Sequence, residues 1–332
     1  MTFSAIALRV RAVGLCAIGA MCYNSGCVRE GSCEDARARG VPRRGKTAMR
    51  KLLLVAVAMP VAAFWGSGAS AELTLWLKYQ GAADEACARG EYNRAEHLYQ
   101  AAERESIITL PADNFRRAST LDGLGTVYMA QGRLDEADAV FQRALAMKKK
   151  VLGPHTREIP ETVLHIADLR YAQGRYDEVE RLYRHALLIL VRDQTDIGVT
   201  RALNGLARYY RLQGDALKAE SLLERAQRIH IDARRRKHPA MADTLVELAR
   251  LYAFEGRDAE SVPLYDKACA IRAEKLGMHH PQTAACFEEF AQALHRLDRI
   301  EESEDLRVRA QVIRARHTEL EEQYANAQAP LL

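Results

Sequence analysis

The stretch LGTVYMAQGRLDEADAVFQRAL, from Leu124 to Leu145, decides the fold of this 332-residue chain. Apolar and small residues recur at helical intervals both before and after Gly132. Because glycine accepts the left-handed conformation that often ends a helix, the stretch predicts two antiparallel helices joined at Gly132. One such hairpin buries only part of its apolar surface, so it needs neighbours to form a continuous core.

Gly132 belongs to a set of turn residues that recurs about every 42 residues. An alanine stands twelve residues after each member of the set. The turn residues are Gly90, Gly132, Gly174, Gly214, Gly256 and Asp298. A period of this length is typical of stacked arrays. The sequence therefore predicts an all-α solenoid of about six helix-turn-helix hairpins.

The repeated units resemble tetratricopeptide repeats. That family's pattern has an aliphatic and then a small residue, a tyrosine three positions later, a turn glycine, an alanine, an aromatic residue and a last alanine. It is visible in Leu124–Leu145 and again in LARLYAFEGRDAESVPLYDKACA, from Leu248 to Ala270. The linkers VLGPHTREIPET and KLGMHHPQTA are similar to those of kinesin-light-chain-type repeats. The resemblance covers about residues 75–316 and implies a right-handed superhelical solenoid of TPR hairpins that binds other proteins.

The segment before the repeats has a different character. Residues 49–51 are a short basic start, Leu52–Trp65 is an apolar run, and Ala69-Ser70-Ala71 ends the segment with small residues. This layout is typical of a secretory signal peptide over residues 49–71, with cleavage after Ala71. The apolar run is shorter than the roughly 20 residues of a membrane span, so we expect no stable span after cleavage. The predicted location is the periplasm or the secreted fraction.

The chain is thus divided into four predicted parts. Residues 1–48 are interpreted as a disordered upstream extension or a wrongly assigned start, with translation beginning at Met49. The alternative is a genuine extension with its own targeting stretch from Ser4 to Met21, which contains two arginines. Residues 72–316 form the solenoid, and residues 317–332 form a C-terminal helical cap and tail.

Removal of the signal segment changes both the charge and the cysteine content. The full chain has a net charge of +4, whereas the part after Ala71 holds 38 basic and 41 acidic residues and has a net charge of −3. The charge therefore gives no support to nucleic-acid binding, and we expect none. The remaining cysteines are Cys87, Cys269 and Cys286. Stacking would bring the last two together, either as two buried thiols, which we favour, or as a disulfide.

Motifs for catalysis are weak in this sequence. Residues 40–47, GVPRRGKT, satisfy the P-loop pattern, but the strand and helix that a phosphate-binding loop needs are not predicted around them. No histidine spacing of a metal site is present, and the His-Pro pairs at His238 and His280 are typical of loops that start a helix. The sequence predicts no cofactor, no metal and no enzyme activity.

The candidate binding site lies on the first helices of the middle hairpins. In the tetratricopeptide family these helices line the concave surface, and positions ten, six and three before the turn point into it. Those positions include Asp168, Tyr171, Asn204, Arg208, Arg211 and Arg250. Arg201, three residues before Asn204, shares the same helix face and is added to the groove residues. The arginines could hold a carboxylate or an acidic peptide, and Asn204 matches the groove asparagine of peptide-binding relatives. Alternatively, the arginines pair internally with Asp168, Glu247 or Glu288.

Two main function classes and one remote class follow. The first is a noncatalytic, exported scaffold that binds a protein or peptide in its concave groove. The second is a cytoplasmic regulatory or adaptor module of the same fold, which requires that residues 49–71 do not act as a signal. The remote third is a nucleotide-binding enzyme built on residues 40–47.

Overall fold

The computed structural model describes residues 66–111, 114–190 and 197–328. The upstream segment 1–48, the P-loop match at residues 40–47 and the signal segment up to Trp65 lie outside the described residues. Within the described residues all regular structure is helical. The helices are α1 (Gly66–Ala88), α2 (Tyr92–Thr109), α3 (Phe115–Ala130), α4 (Leu134–Leu152), α5 (Ile159–Ala172), α6 (Tyr176–Leu190), α7 (Ile197–Leu212), α8 (Ala216–Asp232), α9 (Pro239–Phe254), α10 (Asp258–Lys275), α11 (Pro281–Arg296) and α12 (Ile300–Gln328).

The twelve described helices pair in order into six antiparallel hairpins, which confirms the predicted fold class. Each turn residue of the 42-residue set adopts a left-handed backbone, with φ between 74° and 78° at the five glycines and 57° at Asp298. At Gly132 the Arg133 amide donates to the Tyr128 carbonyl at 2.9 Å, the contact that closes a Schellman turn. Aspartate tolerates this conformation better than most residues, so Asp298 preserves the last turn.

The core runs along the hairpin crossings. The alanine twelve residues after each turn is fully buried in every hairpin. The six alanines are Ala102, Ala144, Ala186, Ala226, Ala268 and Ala310. Aromatic rings fill the space beside them, including the fully buried Phe141 and Tyr183. Small side chains at the crossing let the paired helices approach, and the rings bury the apolar area that stabilises the stack.

The linkers start helices as the His-Pro pairs predict. His238 and His280 are the N-caps of α9 and α11, and a ring nitrogen of each accepts the backbone N–H two residues later. The following prolines occupy the first turn, where no intrahelical partner for the missing N–H is needed. Burial lowers the pKa of His280 to about 4, with His317 and Arg272 nearby contributing, so its ring is neutral at pH 7.

The sixth hairpin is covalently attached to the fifth. Cys269 on α10 and Cys286 on α11 form a disulfide, with their Cα atoms 5.6 Å apart. The expectation of two separate buried thiols is therefore wrong, because the stacking of α10 and α11 brings the two side chains within bonding distance. Cys87 on α1 is the free cysteine of the described residues and is half-buried. None of the described helices is both long and apolar enough for a transmembrane segment.

Gly205 on α7 lies against the ring of Tyr183. The hydroxyl of this tyrosine belongs to the candidate site described below. A Cβ atom at position 205 would lie 2.1 Å from the Tyr183 Cζ atom. We expect Gly205→Ala to lower the free energy of unfolding by at least about 2 kcal/mol, because a buried ring must move. Urea denaturation measures this change.

Gly81→Ala is the matched control for Gly205→Ala. Gly81 lies inside α1, and a Cβ there would meet no atom within 4 Å. We expect Gly81→Ala to stabilise the protein by roughly 0.5–1 kcal/mol, because alanine favours a helix more than glycine does. Equal effects of the two substitutions would contradict the close contact between Gly205 and Tyr183.

Candidate functional site

A cavity of about 490 Å³ lies between the first helices of the third, fourth and fifth hairpins. Its lining comes mainly from α5, α7 and α9. Six of the seven predicted groove residues line it: Asp168, Tyr171, Arg201, Asn204, Arg208 and Arg250. The seventh, Arg211, follows Arg208 by three residues on α7 but is not part of the lining. The helical spacing of the sequence therefore places six of these residues around one cavity.

Asp168 is the centre of the largest charge network in the cavity. Its carboxylate accepts from the Arg201 guanidinium at 2.5 and 3.1 Å and from Arg208 Nη2 at 2.8 Å. The Tyr183 hydroxyl also donates to Asp168. Arg208 Cζ lies 4.2 Å from the ring centroid of Tyr171, a cation–π contact. The network connects α5, α6 and α7.

The two arginines control the charge of Asp168. Burial alone would raise the pKa of this carboxyl, but Arg201 and Arg208 outweigh burial and lower it to about 2. Burial raises the pKa of the Tyr183 hydroxyl well above its usual value, and the Asp168 carboxylate adds to the effect. Asp168 is therefore ionised and Tyr183 is neutral at any physiological pH. The hydroxyl proton stays on Tyr183 and is donated to the carboxylate.

Arg250 forms a second network at the other side of the cavity. Its guanidinium binds Glu289 on α11 through two hydrogen bonds of 2.5 and 2.6 Å, and it binds Glu247 at 2.6 Å. The internal pairing of the groove arginines through Asp168 and Glu247 is thus present. Glu288 is not part of it, because its side chain pairs with Arg314 on α12. Glu289, the next residue of the same helix, pairs with the groove arginine instead.

Asn204 lies between the two networks. Its amide nitrogen donates to the Thr244 hydroxyl on α9 at 3.0 Å, and its side chain is more than nine-tenths buried. Four buried atoms in this region have no hydrogen-bond partner among the described residues: Asn204 Oδ1, Glu247 Oε2, Arg208 Nε and Arg211 Nε. Buried polar atoms are rarely left unpaired in proteins. Three of these buried atoms belong to residues that line the cavity, namely Asn204, Glu247 and Arg208, and the fourth belongs to Arg211 beside it.

Arg211 differs from the other groove arginines, because no ion pair to a carboxylate is formed by it in the described structure. Its Cζ atom lies 5.9 Å from the ring centroid of Phe254, which is more than half exposed. Arg211 and Phe254 come from neighbouring hairpins and lie at the ends of α7 and α9. Together they form an apolar and cationic rim beside the cavity.

The sequence alone does not predict several contact residues of the site. Tyr183 falls at the aromatic position of the repeat pattern, which predicts a place in the core, and no pattern singles out Thr244 or Glu289. A signal for Tyr183 exists, since Tyr99 donates in the same way to Asp84 at 2.7 Å in the first hairpin. In both hairpins the tyrosine is nine residues after the turn and the aspartate six before it. Reading these two columns together predicts the pair.

Comparison with protein families identifies the chain. A family model described as tetratricopeptide repeat matches four overlapping stretches, residues 116–190, 158–232, 198–274 and 240–310, which together cover more than half of the sequence. The chain belongs to the tetratricopeptide repeat family. No curated protein matches the sequence. The TPR assignment confirms the resemblance on which the predicted fold was based.

Solved structures with a similar fold include two Rap proteins and a structure with TPR-like repeats. A Rap protein complexed with competence and sporulation factor is 16% identical, with a TM-score of 0.56 over 75% of this chain and 77% of that one. The Rap conjugation gene regulator of plasmid pLS20, in complex with the Phr* peptide, is 15% identical, with a TM-score of 0.54 over 82% and 81%. A protein described as a kinesin light chain with nearly identical TPR-like repeats, from Podosopora anserina, is 25% identical, with a TM-score of 0.44 over 61% and 97%.

The charge network predicts a pH-dependent effect of Asp168→Asn. The substitution leaves Arg201 and Arg208 without their shared carboxylate, so we expect a loss of about 1–3 kcal/mol in the free energy of unfolding at pH 7. The folded pKa of Asp168, about 2, is below its ordinary value of 3.8. The contribution of its charge is therefore present above about pH 4 and is lost as the pH falls toward 2. Urea denaturation of both proteins between pH 7 and pH 2 measures the difference.

Asp266→Asn is the control for this comparison, since Asp266 is exposed on α10 and forms no ion pair with the described residues. It should change the free energy of unfolding by less than about 0.5 kcal/mol. Two results would contradict the network: equal stability of the Asp168 and Asp266 variants at pH 7, or a difference that persists unchanged at pH 2.

Proposed function

We propose that this TPR protein is a noncatalytic scaffold that binds an extended segment of a partner protein or peptide between α5, α7 and α9. The observation that supports this proposal is a set of unpaired hydrogen-bonding atoms buried just beneath the groove surface, which a ligand reaches when the side chains of the groove wall move aside. Asn204 Oδ1 and Glu247 Oε2 are acceptors, and Arg208 Nε and Arg211 Nε are donors. An extended peptide presents both N–H donors and C=O acceptors, so one ligand can satisfy both kinds of atom.

The ion pairs inside the groove leave only its rim available to bind an acidic group of a ligand. Arg201, Arg208 and Arg250 are already paired with carboxylates of the protein. A carboxylate of a ligand would have to compete with Asp168 or Glu289 for them. Arg211 has no such competitor among the residues that the structure describes, and it lies beside the exposed ring of Phe254. We therefore place an acidic side chain of the ligand, next to an apolar one, at Arg211.

The two Rap structures support this proposal at the level of the fold. Both have TM-scores above 0.5; one is described as complexed with competence and sporulation factor and the other as in complex with the Phr* peptide. At 16 and 15% sequence identity, the likeness is one of fold alone. The alternative of a cytoplasmic adaptor uses the same groove and differs only in location. Among the described residues, no group of three or more His, Cys, Asp or Glu side chains is arranged to hold a metal ion.

Groove binding predicts different effects for two alanine substitutions. A partner is first captured by crosslinking to the chain, and its binding segment is then titrated as a labelled peptide by fluorescence polarisation. We expect Asn204→Ala to weaken binding at least tenfold, because the amide is buried among the contact atoms. Arg211→Ala should weaken binding of an acidic segment, and the loss should shrink at high salt.

Arg228→Ala is the matched control, since this arginine is exposed on α8 and does not line the cavity. Its binding should equal that of the unmodified chain. Full affinity of the Asn204 variant would exclude the groove as the peptide site. Thr244 still donates to the Ala240 carbonyl in that variant, so a folding defect is not expected.

We further propose that the protein is exported after cleavage at Ala71. The signal-peptide pattern of residues 49–71 is one support, and the Cys269–Cys286 disulfide is the other. Structural disulfides persist mainly in oxidising compartments such as the periplasm. A cytoplasmic adaptor would instead keep these two cysteines as thiols for most of its lifetime.

Export predicts a defined N-terminus and a defined thiol content. N-terminal sequencing of the protein from the cell envelope or medium should begin at Glu72. Alkylation without reduction should modify Cys87 only, and alkylation after reduction should modify all three cysteines of that chain. The control is a chain expressed from residue 72 without the upstream segment, which should remain in the cytoplasm with all three thiols reactive. A chain that begins before Glu72, or that stays in the cytoplasm, would overturn the export proposal.

A further inference from the structure

The last helix extends beyond its own hairpin and reaches the first one. The part of α12 that pairs with α11 contains the buried residues Ala310 and Ile313. The same face continues as His317, Glu321 and Tyr324, which are half-buried, whereas the residues between them are exposed. This spacing of three and four residues is that of a single helix face. The second half of α12 therefore covers something other than α11.

The covered surface is the turn and the first residues of α2. The His317 ring N–H donates to the Gly90 carbonyl at 2.7 Å, and its ring packs edge-on against Tyr92, with centroids 5.9 Å apart. A Glu321 carboxylate oxygen accepts from the Asn93 backbone N–H at 2.9 Å. These partners are 227 and 228 residues apart in sequence for the two hydrogen bonds.

Glu321 supplies the cap that α2 lacks. The N-cap residue of α2, Glu91, makes no capping hydrogen bond with its side chain. The Glu321 carboxylate takes this role from the other end of the array, where it accepts a free N–H and lies at the positive end of the helix dipole. The contact is therefore a specific one between α12 and α2.

The turn of the first hairpin also fits closely against the start of α11. A Cβ atom at Gly90 would lie 2.6 Å from the Pro281 Cδ atom and 3.5 Å from the His280 ring. Gly90 thus serves both as a left-handed turn residue and as a point of close contact with the sixth hairpin. The two ends of the array meet at a second place.

Among the described residues, the seam between the two ends has no common hydrophobic core. The buried cluster that includes the first hairpin extends from Ala83 to Leu169, and the cluster of the last two hairpins extends from Met241 to Ile313. No residue of the first hairpin belongs to the second cluster. Polar and ring contacts with partly exposed side chains hold the seam instead. Such contacts open more readily than the packed crossings inside the hairpins.

We propose that residues 317–324 of α12 are a clasp that reversibly holds the first and last hairpins together. With the clasp closed, the array has a fixed curvature. With the clasp released, the first hairpin separates from the sixth while each hairpin keeps its own core. The proposal rests on the contacts across the seam and does not depend on what the groove binds.

Amide hydrogen exchange of the full chain tests the clasp. In Glu321→Ala the backbone amide of Asn93 loses its acceptor, so the amides in the first turn of α2 should exchange about tenfold faster. Glu322→Ala is the matched control, because Glu322 is exposed on the same helix. It should leave the exchange of α2 unchanged. A variant that ends at Arg316 removes the whole clasp and should show a larger effect at the same amides.

Three outcomes would overturn the proposal. One is unchanged exchange in the first turn of α2 in both the Glu321 variant and the truncated chain. Another is faster exchange throughout α7 and α8 in the truncated chain, which would make the end of α12 a part of the common core. The third is a protection of α2 that disappears on dilution together with a dimer in light scattering, which would place the seam between two copies. Local acceleration in a monomer supports the clasp.

Discussion

The close crossing of two helices at a buried alanine is the constraint on which the rest of this structure depends. Each hairpin has such an alanine twelve residues after its turn, with no exposed surface. A larger side chain there would push the helices apart and remove the contacts of the neighbouring ring. Since Tyr183 packs directly on the backbone of Gly205, the same closeness exists between hairpins. These contacts therefore leave little freedom in the distance between neighbouring helices of the array.

Regular spacing brings equivalent positions of successive hairpins side by side. Asp168 and Arg208 both stand six residues before a turn, in the third and fourth hairpins, and they form an ion pair across the groove. Arg250 stands at the same position in the fifth hairpin and bridges Glu247 to Glu289. The charge at this position of the repeat changes from negative at Asp168 to positive at Arg208. Side chains at equivalent positions can therefore form an ion pair between neighbouring hairpins. The tyrosine hydroxyl of the next helix orients the carboxylate at Asp168.

The sequence predicts well those structural features that recur in every repeat. The turns, the buried alanines and the groove face of α5, α7 and α9 depend only on positions within one hairpin. The choice between Glu288 and Glu289 depends on the rotation of α11 against α9, because adjacent residues on a helix point about 100° apart. Pairing of Cys269 with Cys286 depends on the separation of two stacked helices. The contact of Glu321 with Asn93 depends on curvature accumulated over six hairpins, which no local pattern contains.

The charge balance of the groove determines what kind of recognition it supports. Arg201, Arg208 and Arg250 face three carboxylates of the protein, so the cavity has little net charge to offer a ligand. For the ligand proposed above, affinity would come from directional hydrogen bonds to the unpaired atoms of Asn204 and its neighbours, which recognise a backbone more than a particular side chain. Selectivity would come from the rim, where Arg211 pairs with no carboxylate of the described residues and lies near Phe254. Both ends of the array are engaged in the seam, and the unpaired atoms of Asn204, Arg208 and Glu247 lie between them, on the first helices of the fourth and fifth hairpins.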